Sequence, residues 1–301
     1  MTDPVILAID IGGTKLAVGI VTAAGEVLDR RQIPTAATPP ATDRSAEDLF
    51  VALMGLVGEV REASAARGEP DPIVCGVGCG GPMTRCGETV SPMNIGGWRA
   101  FPLRRRLAET LGLATFVDND AKALALGEGW RGAAVGEPNY LGMVVSTGVG
   151  GGIVLDGRLL DGRDANAGHI GHITVEPDGR SCRCGSRGCL EAEASGTGIA
   201  AITGRPPAEA GIEMIERTGM LVGRAVATVA TLLDLRLAVV AGSVALGYGA
   251  PFFAAAQAEI DARARLDFAR DCVIRPAALG ADGPIVGAAA VGRRGLGLPT
   301  L

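Results

Sequence analysis

The sequence predicts an α/β fold built from two related lobes. Short apolar runs of strand length alternate along the chain with longer segments whose apolar residues recur at helical spacing. A strand, a glycine-rich polar turn and a second strand occur near the start, and the same layout returns near the middle. A chain of 301 residues is long enough for about two domains. The repeated layout therefore suggests two related lobes, each with one copy.

The predicted elements follow one another without a low-complexity break. Strands are predicted at 5–9, 16–21, 27–33, 73–77, 114–117, 141–146, 153–155, 237–240 and 273–275. Helices are predicted at 48–67, 102–111, 121–130, 208–218, 220–233, 251–266 and 285–293, with Gly112 as a C-cap and a polar loop at 36–45.

The composition favours a globular protein with an aliphatic core. Hydrophobic residues make up 48% of the chain and aromatic residues only 3%, which disfavours stacking platforms for nucleic acid. The net charge is −5, and the basic run Arg104–Arg106 fits a solvated helix face, so no nucleic-acid partner is expected. No apolar run approaches the roughly 20 residues of a membrane span. Seven cysteines without a secretory pattern predict a reducing cytoplasm.

The first glycine turn runs from Asp10 through Gly12, Gly13 and Thr14 to Lys15 and lies between two predicted strands. It lacks the spacing of a P-loop, and its glycines do not open a helix as a dinucleotide-binding loop requires. Its backbone amides could approach an anion, and Asp10 could bind a cation. An ordinary hairpin remains the alternative at this point.

The second glycine turn spans Thr147, Gly148 and the following residues to Gly152 and again joins two strands. Either turn alone is a weak signal, but the pair favours two phosphate-binding turns. A third polar element, Asp118-Asn119-Asp120, follows a strand and opens a helix, where ligands often bind in α/β sheets. Helix capping needs only one such residue, and here there are three. Ligand binding and helix capping therefore both remain possible interpretations.

A metal-binding pattern lies between residues 165 and 195. His172, Cys182, Cys184 and Cys189 form H-x9-C-x-C-x4-C, a complete tetrahedral shell for Zn²⁺. A closed shell indicates a structural ion, which would fix Glu191, two residues beyond the last thiol. The alternatives are unrelated core thiols or a disulfide, and a disulfide is disfavoured without a secretory signal.

Together these motifs resemble the ROK family of sugar kinases, bacterial glucokinases in particular, over nearly the whole chain. The matching segments are Asp10 to Lys15, Ser91 to Trp98, Asp118 to Asp120, Ser146 to Gly152, and Gly171 to Glu191. The resemblance implies an actin-like fold of two α/β lobes with a cleft between them. It assigns 1–117, with the terminal helix 287–301, to the N-terminal lobe and 118–286, with the zinc loop 165–195, to the C-terminal lobe.

The resemblance also implies ATP-dependent phosphorylation of a hexose at its 6-hydroxyl, with Mg²⁺ and a structural Zn²⁺, by a cytoplasmic homo-oligomer (a dimer or tetramer). Asp120 would be the catalytic base. By the same resemblance the sugar-binding residues would be Gly81, Asn119, His169, His172 and Glu191, and the nucleotide-binding residues Asp10, Gly12, Gly13, Thr14, Lys15, Thr147, Gly148, Gly242 and Ser243.

One position departs from the family pattern: His169 stands where the kinases usually carry a glutamate that contacts the sugar near C1 and C2. An imidazole accepts fewer hydrogen bonds than a carboxylate. Glucose is therefore one expected substrate, and an amino or N-acylated hexosamine, such as N-acetylmannosamine, is the alternative. Sugar-responsive repressors of the family carry a DNA-binding domain ahead of the first hairpin. Only nine residues precede Asp10 here, so this reading is disfavoured.

Overall fold

The computed structural model describes residues 5–35 and 43–300, with the side chains of the second range described from Ala46 onward. The predicted loop at 36–45 lies outside this part of the chain, except that the first helix begins at Asp43. Among the described residues, no helix combines the length and the apolar character needed to cross a membrane.

The elements alternate as the sequence predicts. The strands are β1 (Ile6–Ile11), β2 (Lys15–Val21), β3 (Val27–Pro34), β4 (Val74–Cys79), β5 (Ala114–Asn119), β6 (Tyr140–Val145), β7 (Val149–Leu155), β8 (Arg158–Leu159), β9 (Leu237–Ala241) and β10 (Val273–Pro276). The helices are α1 (Asp43–Ala66), α2 (Leu103–Leu111), α3 (Asp120–Arg131), α4 (Leu190–Ala194), α5 (Gly196–Thr203), α6 (Ile212–Leu233), α7 (Ser243–Tyr248), α8 (Ala250–Arg263) and α9 (Gly283–Gly295).

The chain divides into two compact units. The first contains the described residues up to Arg131, the segment Asp161–Ala167 and the described residues from Ala281 onward. The second contains Gly132–Leu160 and Gly168–Gly280. The lobe boundaries inferred from the family resemblance stay predictions.

The first unit is built on a mixed sheet with the strand order β3-β2-β1-β4-β5. The strands β1, β4 and β5 run parallel, and β2 and β3 extend the sheet antiparallel. β1 and β4 are buried along their whole length, as central strands of an α/β sheet should be. Helix α9 lies so close to β4 that a side chain at Gly76 would overlap the backbone at Ala288.

The second unit repeats this topology with β10-β9-β6-β7-β8. Strand β6 pairs antiparallel with β7 and parallel with β9, just as β1 pairs with β2 and β4. Read from the antiparallel edge, both sheets have their strands in the order third, second, first, fourth, fifth. The predicted α/β class with two related halves is thus confirmed.

Two predicted details were wrong. The helices expected at 208–218 and 220–233 are one helix, α6, which begins only at Ile212. Gly219 does not end it but packs against the Phe252 carbonyl. The glycine run predicted as a loop to Gly152 belongs to β7 from Val149 onward. Its lack of side chains makes room for the chain at Gly168, since a Cβ on Gly151 would lie 3.1 Å from the Gly168 carbonyl oxygen.

Candidate functional site

Acidic side chains collect at the carboxyl ends of the parallel strands in the first unit. Asp10 near the end of β1 is in register with Gly78 of β4, which is in register with Asp118 of β5. A Cβ on Gly78 would lie 3.6 Å from Asp10 Oδ1 and 3.6 Å from the Cα of Asp120. Asp10 and Asp120 therefore lie in one small region beside Gly78 at the sheet edge.

This arrangement raises the pKa of both carboxyl groups. Burial, and then the neighbouring Asp120, raise the pKa of Asp10 to about 7, although Lys15 and Arg30 act against the shift. Burial also raises the pKa of Asp120, opposed by the backbone amide of Ala121 and by its own. A cation would relieve the repulsion between two such carboxylates, and a carboxylate with a raised pKa accepts a proton more readily.

The helix-capping interpretation is confirmed for two residues of the Asp-Asn-Asp triplet. Asn119 Oδ1 accepts the Ala121 amide at 3.0 Å, and Asp120 Oδ1 accepts it at 2.9 Å. Asp118 instead accepts the ammonium of Lys122 and the guanidinium of Arg294. Capping and ion pairing thus orient the triplet without removing Asp120 from the sheet edge.

The first glycine hairpin is closed by backbone bonds and contacted by a loop from the same unit. The Gly12 amide donates to the Lys15 carbonyl at 3.0 Å, while Thr35 donates its hydroxyl to Gly12 and its amide to Thr14. A Cβ on Gly13 would lie 2.5 Å from Asn94 Cβ, so the 91–98 loop packs directly on the hairpin. Lys15 is the first residue of β2.

The same loop supports Gly81. The Gly81 carbonyl accepts the Met93 amide at 3.2 Å, and the next carbonyl accepts the Ser91 amide at 2.9 Å. Arg99, which the sequence did not single out, donates to the carbonyls of Pro92, Ile95 and Trp98. The only sequence signal for it was its position beside the buried Trp98.

In the second unit, the turn at Thr147 and Gly148 is held from the α4–α5 junction. Glu191 Oε2 accepts the Val149 amide at 3.0 Å and lies where a Gly148 side chain would be. Thr197 donates its hydroxyl at 2.8 Å and its amide at 3.2 Å to the Thr147 carbonyl. Nothing in the sequence pattern had marked Thr197.

The predicted adenosine-site residues Gly242 and Ser243 reach the same turn. The Ser243 hydroxyl lies 2.9 Å from that of Ser146. Gly242 has φ 103° and packs so closely on the Val145 backbone that no side chain fits. The structure thus brings Thr147, Gly148, Gly242 and Ser243 together, beside Glu191.

The four predicted zinc ligands form one cluster. Their donor atoms all lie within 4.8 Å of one another, with Cys184 Sγ 3.7 Å from Cys189 Sγ and His172 Nδ1 3.7 Å from Cys182 Sγ. With Zn–S of about 2.3 Å and Zn–N of about 2.1 Å, a tetrahedral ion separates its ligands by about 3.6 to 3.8 Å. The donor set and its spacing therefore fit Zn²⁺.

Thiol acidity in the cluster differs between its exposed and buried members. Hydrogen bonding from the Ser186 amide lowers the pKa of Cys184. Burial raises the pKa of Cys189 to about 12, so this thiol needs a bound cation to become a thiolate at neutral pH. His169, which opens the short 3₁₀ turn Ile170–His172, is not among the four ligands.

Two α/β units of equal strand order, each with a glycine hairpin at its central strand pair, define an actin-like class of protein. Comparison with known proteins agrees. The model of the ROK family matches residues 6–294. A glucokinase of Halalkalibacterium halodurans is 41% identical over 204 residues, which cover 67% of this chain but only 60% of that protein.

Two further relatives cover more of the chain. An N-acetylmannosamine kinase of Escherichia fergusonii is 36% identical over 262 residues, covering 81% of this chain and 84% of that protein. The crystal structure of a ROK family glucokinase from Streptomyces griseus, in complex with glucose and AMPPNP, matches with a TM-score of 0.82 at 29% identity, covering 96% of this chain and 99% of that one. The chain therefore belongs to the ROK family, among its sugar kinases.

Proposed function

We propose that the protein transfers the γ-phosphoryl group of ATP to the 6-hydroxyl of glucose or a closely related hexose. The observation that carries this proposal is that Asp10 and Asp120 both lie beside Gly78, close enough for the charge of Asp120 to act on Asp10. One carboxylate can hold a cation and the other can accept a proton, which are the two tasks that phosphoryl transfer to an alcohol requires.

Asp120 would accept the proton of the attacking hydroxyl. Its position at the start of α3, fixed by the Ala121 amide, keeps the carboxylate at the sheet edge. Burial raises its pKa, which favours proton uptake as the new bond to phosphorus forms. A positioned general base typically raises the rate of a reaction by a factor of roughly 10² to 10⁴.

Asp10 would hold Mg²⁺, which supplies charge neutralisation to the phosphates when bound. Gly13 and Thr14 are exposed residues, and their amides would bind phosphate oxygens in the first unit. The turn at Thr147 and Gly148 would do so in the second unit, with Gly242 and Ser243 beside the adenosine. The bound AMPPNP of the Streptomyces griseus relative supports ATP as the donor.

Sugar hydroxyls would be bound by Gly81 and Asn119 in the first unit and by Glu191, His169 and His172 in the second. Nδ1 of His172 lies 3.7 Å from Cys182 Sγ, so Nε2 would be the nitrogen that bonds the sugar. A zinc ion would thereby fix the orientation of a sugar-binding ring.

The second candidate substrate is an N-acylated hexosamine. His169 favours it, because an imidazole in place of a carboxylate weakens recognition of free hydroxyls near C1 and C2. The similarity to N-acetylmannosamine kinases supports this alternative, and the similarity to glucokinases supports glucose.

A coupled ADP-release assay tests the proposal with glucose, mannose, glucosamine, N-acetylglucosamine and N-acetylmannosamine. We expect Mg²⁺-dependent ADP release that requires one of these sugars. The Asp120→Asn variant serves as the control for contaminating kinases. Sugar-independent ATP hydrolysis, or no turnover with any of the five, would contradict hexose kinase activity.

A further inference from the structure

Lysine is rare in this protein, and its two occurrences lie near the candidate site. Of the 28 basic residues that are lysine or arginine, only Lys15 and Lys122 are lysines. Lys15 adjoins the first glycine hairpin, and Lys122 follows Asp120 by two residues. The Lys122 side chain is only 1% exposed, so it does not serve as a solvated surface charge.

The ammonium of Lys122 meets three acceptors. Its Nζ lies 2.9 Å from Asp118 Oδ1, 2.9 Å from Asp161 Oδ1 and 3.2 Å from the Ala165 carbonyl oxygen. Three N–H donors thus find three oxygens, which satisfies a buried ammonium.

Arg294 of helix α9 completes the cluster from the other side. Its two terminal nitrogens lie 3.0 Å from Asp118 Oδ2 and 2.6 Å from Asp161 Oδ2. Two cations and two carboxylates balance one another. The planar fork of Arg294 spans both carboxylates, whereas Lys122 places one compact ammonium between three oxygens. We therefore expect an arginine at position 122 not to reproduce these three bonds.

The cluster fixes a segment of chain that has no regular structure. Asp161–Ala167 belongs to the first unit by its packing. Ala165 adopts a left-handed φ of 64°, which costs energy for a residue other than glycine, and its carbonyl is held by Lys122. The next residue, Asn166, donates its side-chain amide to the Met83 carbonyl at 3.0 Å and accepts the Met83 amide.

We propose that Lys122 is a positioning residue for the sugar-binding groups of the first unit. Through Asp118 it fixes the strand end that carries Asn119 and Asp120. Through Asp161 and Ala165 it fixes the segment from which Asn166 holds the turn that follows Gly81. The consequence for catalysis rests on the proposed hexose kinase function, while the structural role does not.

The test uses full-length Lys122→Met and Lys122→Arg, with Arg106→Met as the control. Arg106 pairs with Glu47 in the same unit but bonds neither the triplet nor the 161–167 segment. Hydrogen–deuterium exchange is measured on peptides covering 80–84 and 161–167. We expect roughly tenfold faster exchange in both peptides for both Lys122 variants, and unchanged exchange there for Arg106→Met.

Steady-state kinetics then separate positioning from a general loss of stability. We expect the KM for the sugar to rise about 10- to 100-fold in both Lys122 variants. The KM for ATP should stay within about twofold of the wild-type value. Asn166→Ala removes the two bonds to Met83 and one to the Asp164 carbonyl but none of the ion pairs of Lys122. It should therefore raise the sugar KM and the exchange of 80–84 even if the Lys122 variants fail to fold.

Unchanged exchange of both peptides in Lys122→Met, or full recovery of the sugar KM in Lys122→Arg, would overturn the inference. So would wild-type exchange and kinetics in Asn166→Ala. A wild-type protein that phosphorylates no hexose would refute the proposed function instead, and the exchange measurements would still decide the role of Lys122.

Discussion

The two units share one strand order but fix their polar groups by different means. In the first unit, Asp10 and the Asp118–Asp120 triplet lie at the ends of neighbouring strands. The charges of Lys122 and Arg294 hold Asp118, and the Ala121 amide holds Asn119 and Asp120. In the second unit, His172 and Glu191 follow strand β8 in chain segments without long regular elements. There the four-ligand cluster, and the bond that the Glu191 carboxylate accepts from the Val149 amide, hold these segments.

Because of this difference, experiments can test the groups proposed for catalysis separately from the groups that stabilise the structure. The fixed charges of the first unit are part of the chain and cannot dissociate. The four-ligand cluster of the second unit would instead depend on a bound metal ion, which a chelator can remove. Damage to the first unit should therefore change the chemical step with the metal content intact, and damage to the second should change metal content and stability together.

The largest expected effect is that of Asp120→Asn in the first unit. Asparagine keeps the size of the side chain and a helix cap but cannot accept the hydroxyl proton. We expect kcat to fall by roughly 10² to 10⁴, with sugar binding by calorimetry and zinc content by elemental analysis largely unchanged. A variant with kcat near wild type would reduce Asp120 to a helix cap.

Cys184→Ser tests the metal dependence of the second unit. The wild-type protein should carry about one zinc per chain, because four ligands close a tetrahedral site. The variant should lose most of this zinc and melt at a lower temperature. Cys86→Ser, which changes an exposed thiol of the first unit, is the matched control and should change neither quantity. Wild-type protein that folds and works without metal would contradict this view of the second unit.

Asp10 should make the stability of the first unit depend on pH. Because burial and Asp120 raise the Asp10 pKa from 3.8 to about 7, the folded protein binds more protons than the unfolded chain across that interval. The stabilisation from this group is complete below pH 3.8 and is lost as the pH rises through about 7. Magnesium should oppose the loss, because it binds the ionised carboxylate.

Thermal melts of wild type and Asp10→Asn, with and without Mg²⁺, measure this effect. At pH 8 without Mg²⁺ the variant should be the more stable protein, since it buries no charge beside Asp120. It should also lose Mg²⁺-dependent activity. If the two metal-free melting profiles run parallel from pH 5 to pH 8, Asp10 does not titrate in this range.

The sequence predicted contacts that are local and missed those that are distant. The cluster of His172, Cys182, Cys184 and Cys189 was visible because its ligands lie within 18 positions of chain and zinc chemistry restricts their types. Both glycine hairpins were visible for the same reason. The Lys122 cluster was not, because Arg294 is 176 residues from Asp118 and an isolated lysine carries no pattern.

Close backbone packing was equally hidden from the sequence. The glycines of β7 looked like a loop, whereas they make room for the chain at Gly168. Gly219 looked like a helix end, whereas it lets α6 approach α8. Glycine marks a place without a side chain, and only the tertiary structure shows whether a turn or a neighbouring backbone needs that space.

The smallest expected effect concerns His169, where the family resemblance and the sequence disagree. His169 opens the turn that ends at the metal ligand His172, and the two rings are 6.1 Å apart. If His169 faces the sugar, glucose lacks a hydrogen bond to a carboxylate there. Such a bond is worth roughly 1.5 to 3 kcal/mol, or about one to two decades in affinity.

His169→Glu should therefore lower the KM for glucose by about ten- to a hundredfold and shift preference away from N-acetylmannosamine. Zinc content should not change, because the cluster uses His172 and three cysteines. His169→Gln adds a hydrogen-bond acceptor without the charge, so it should lower the KM for glucose by less than His169→Glu does. The difference between the two variants measures what the charge adds to the hydrogen bond. If the glutamate variant loses zinc, His169 supports the metal cluster. If KM and sugar preference stay unchanged in both variants, the imidazole of His169 lies outside the sugar site.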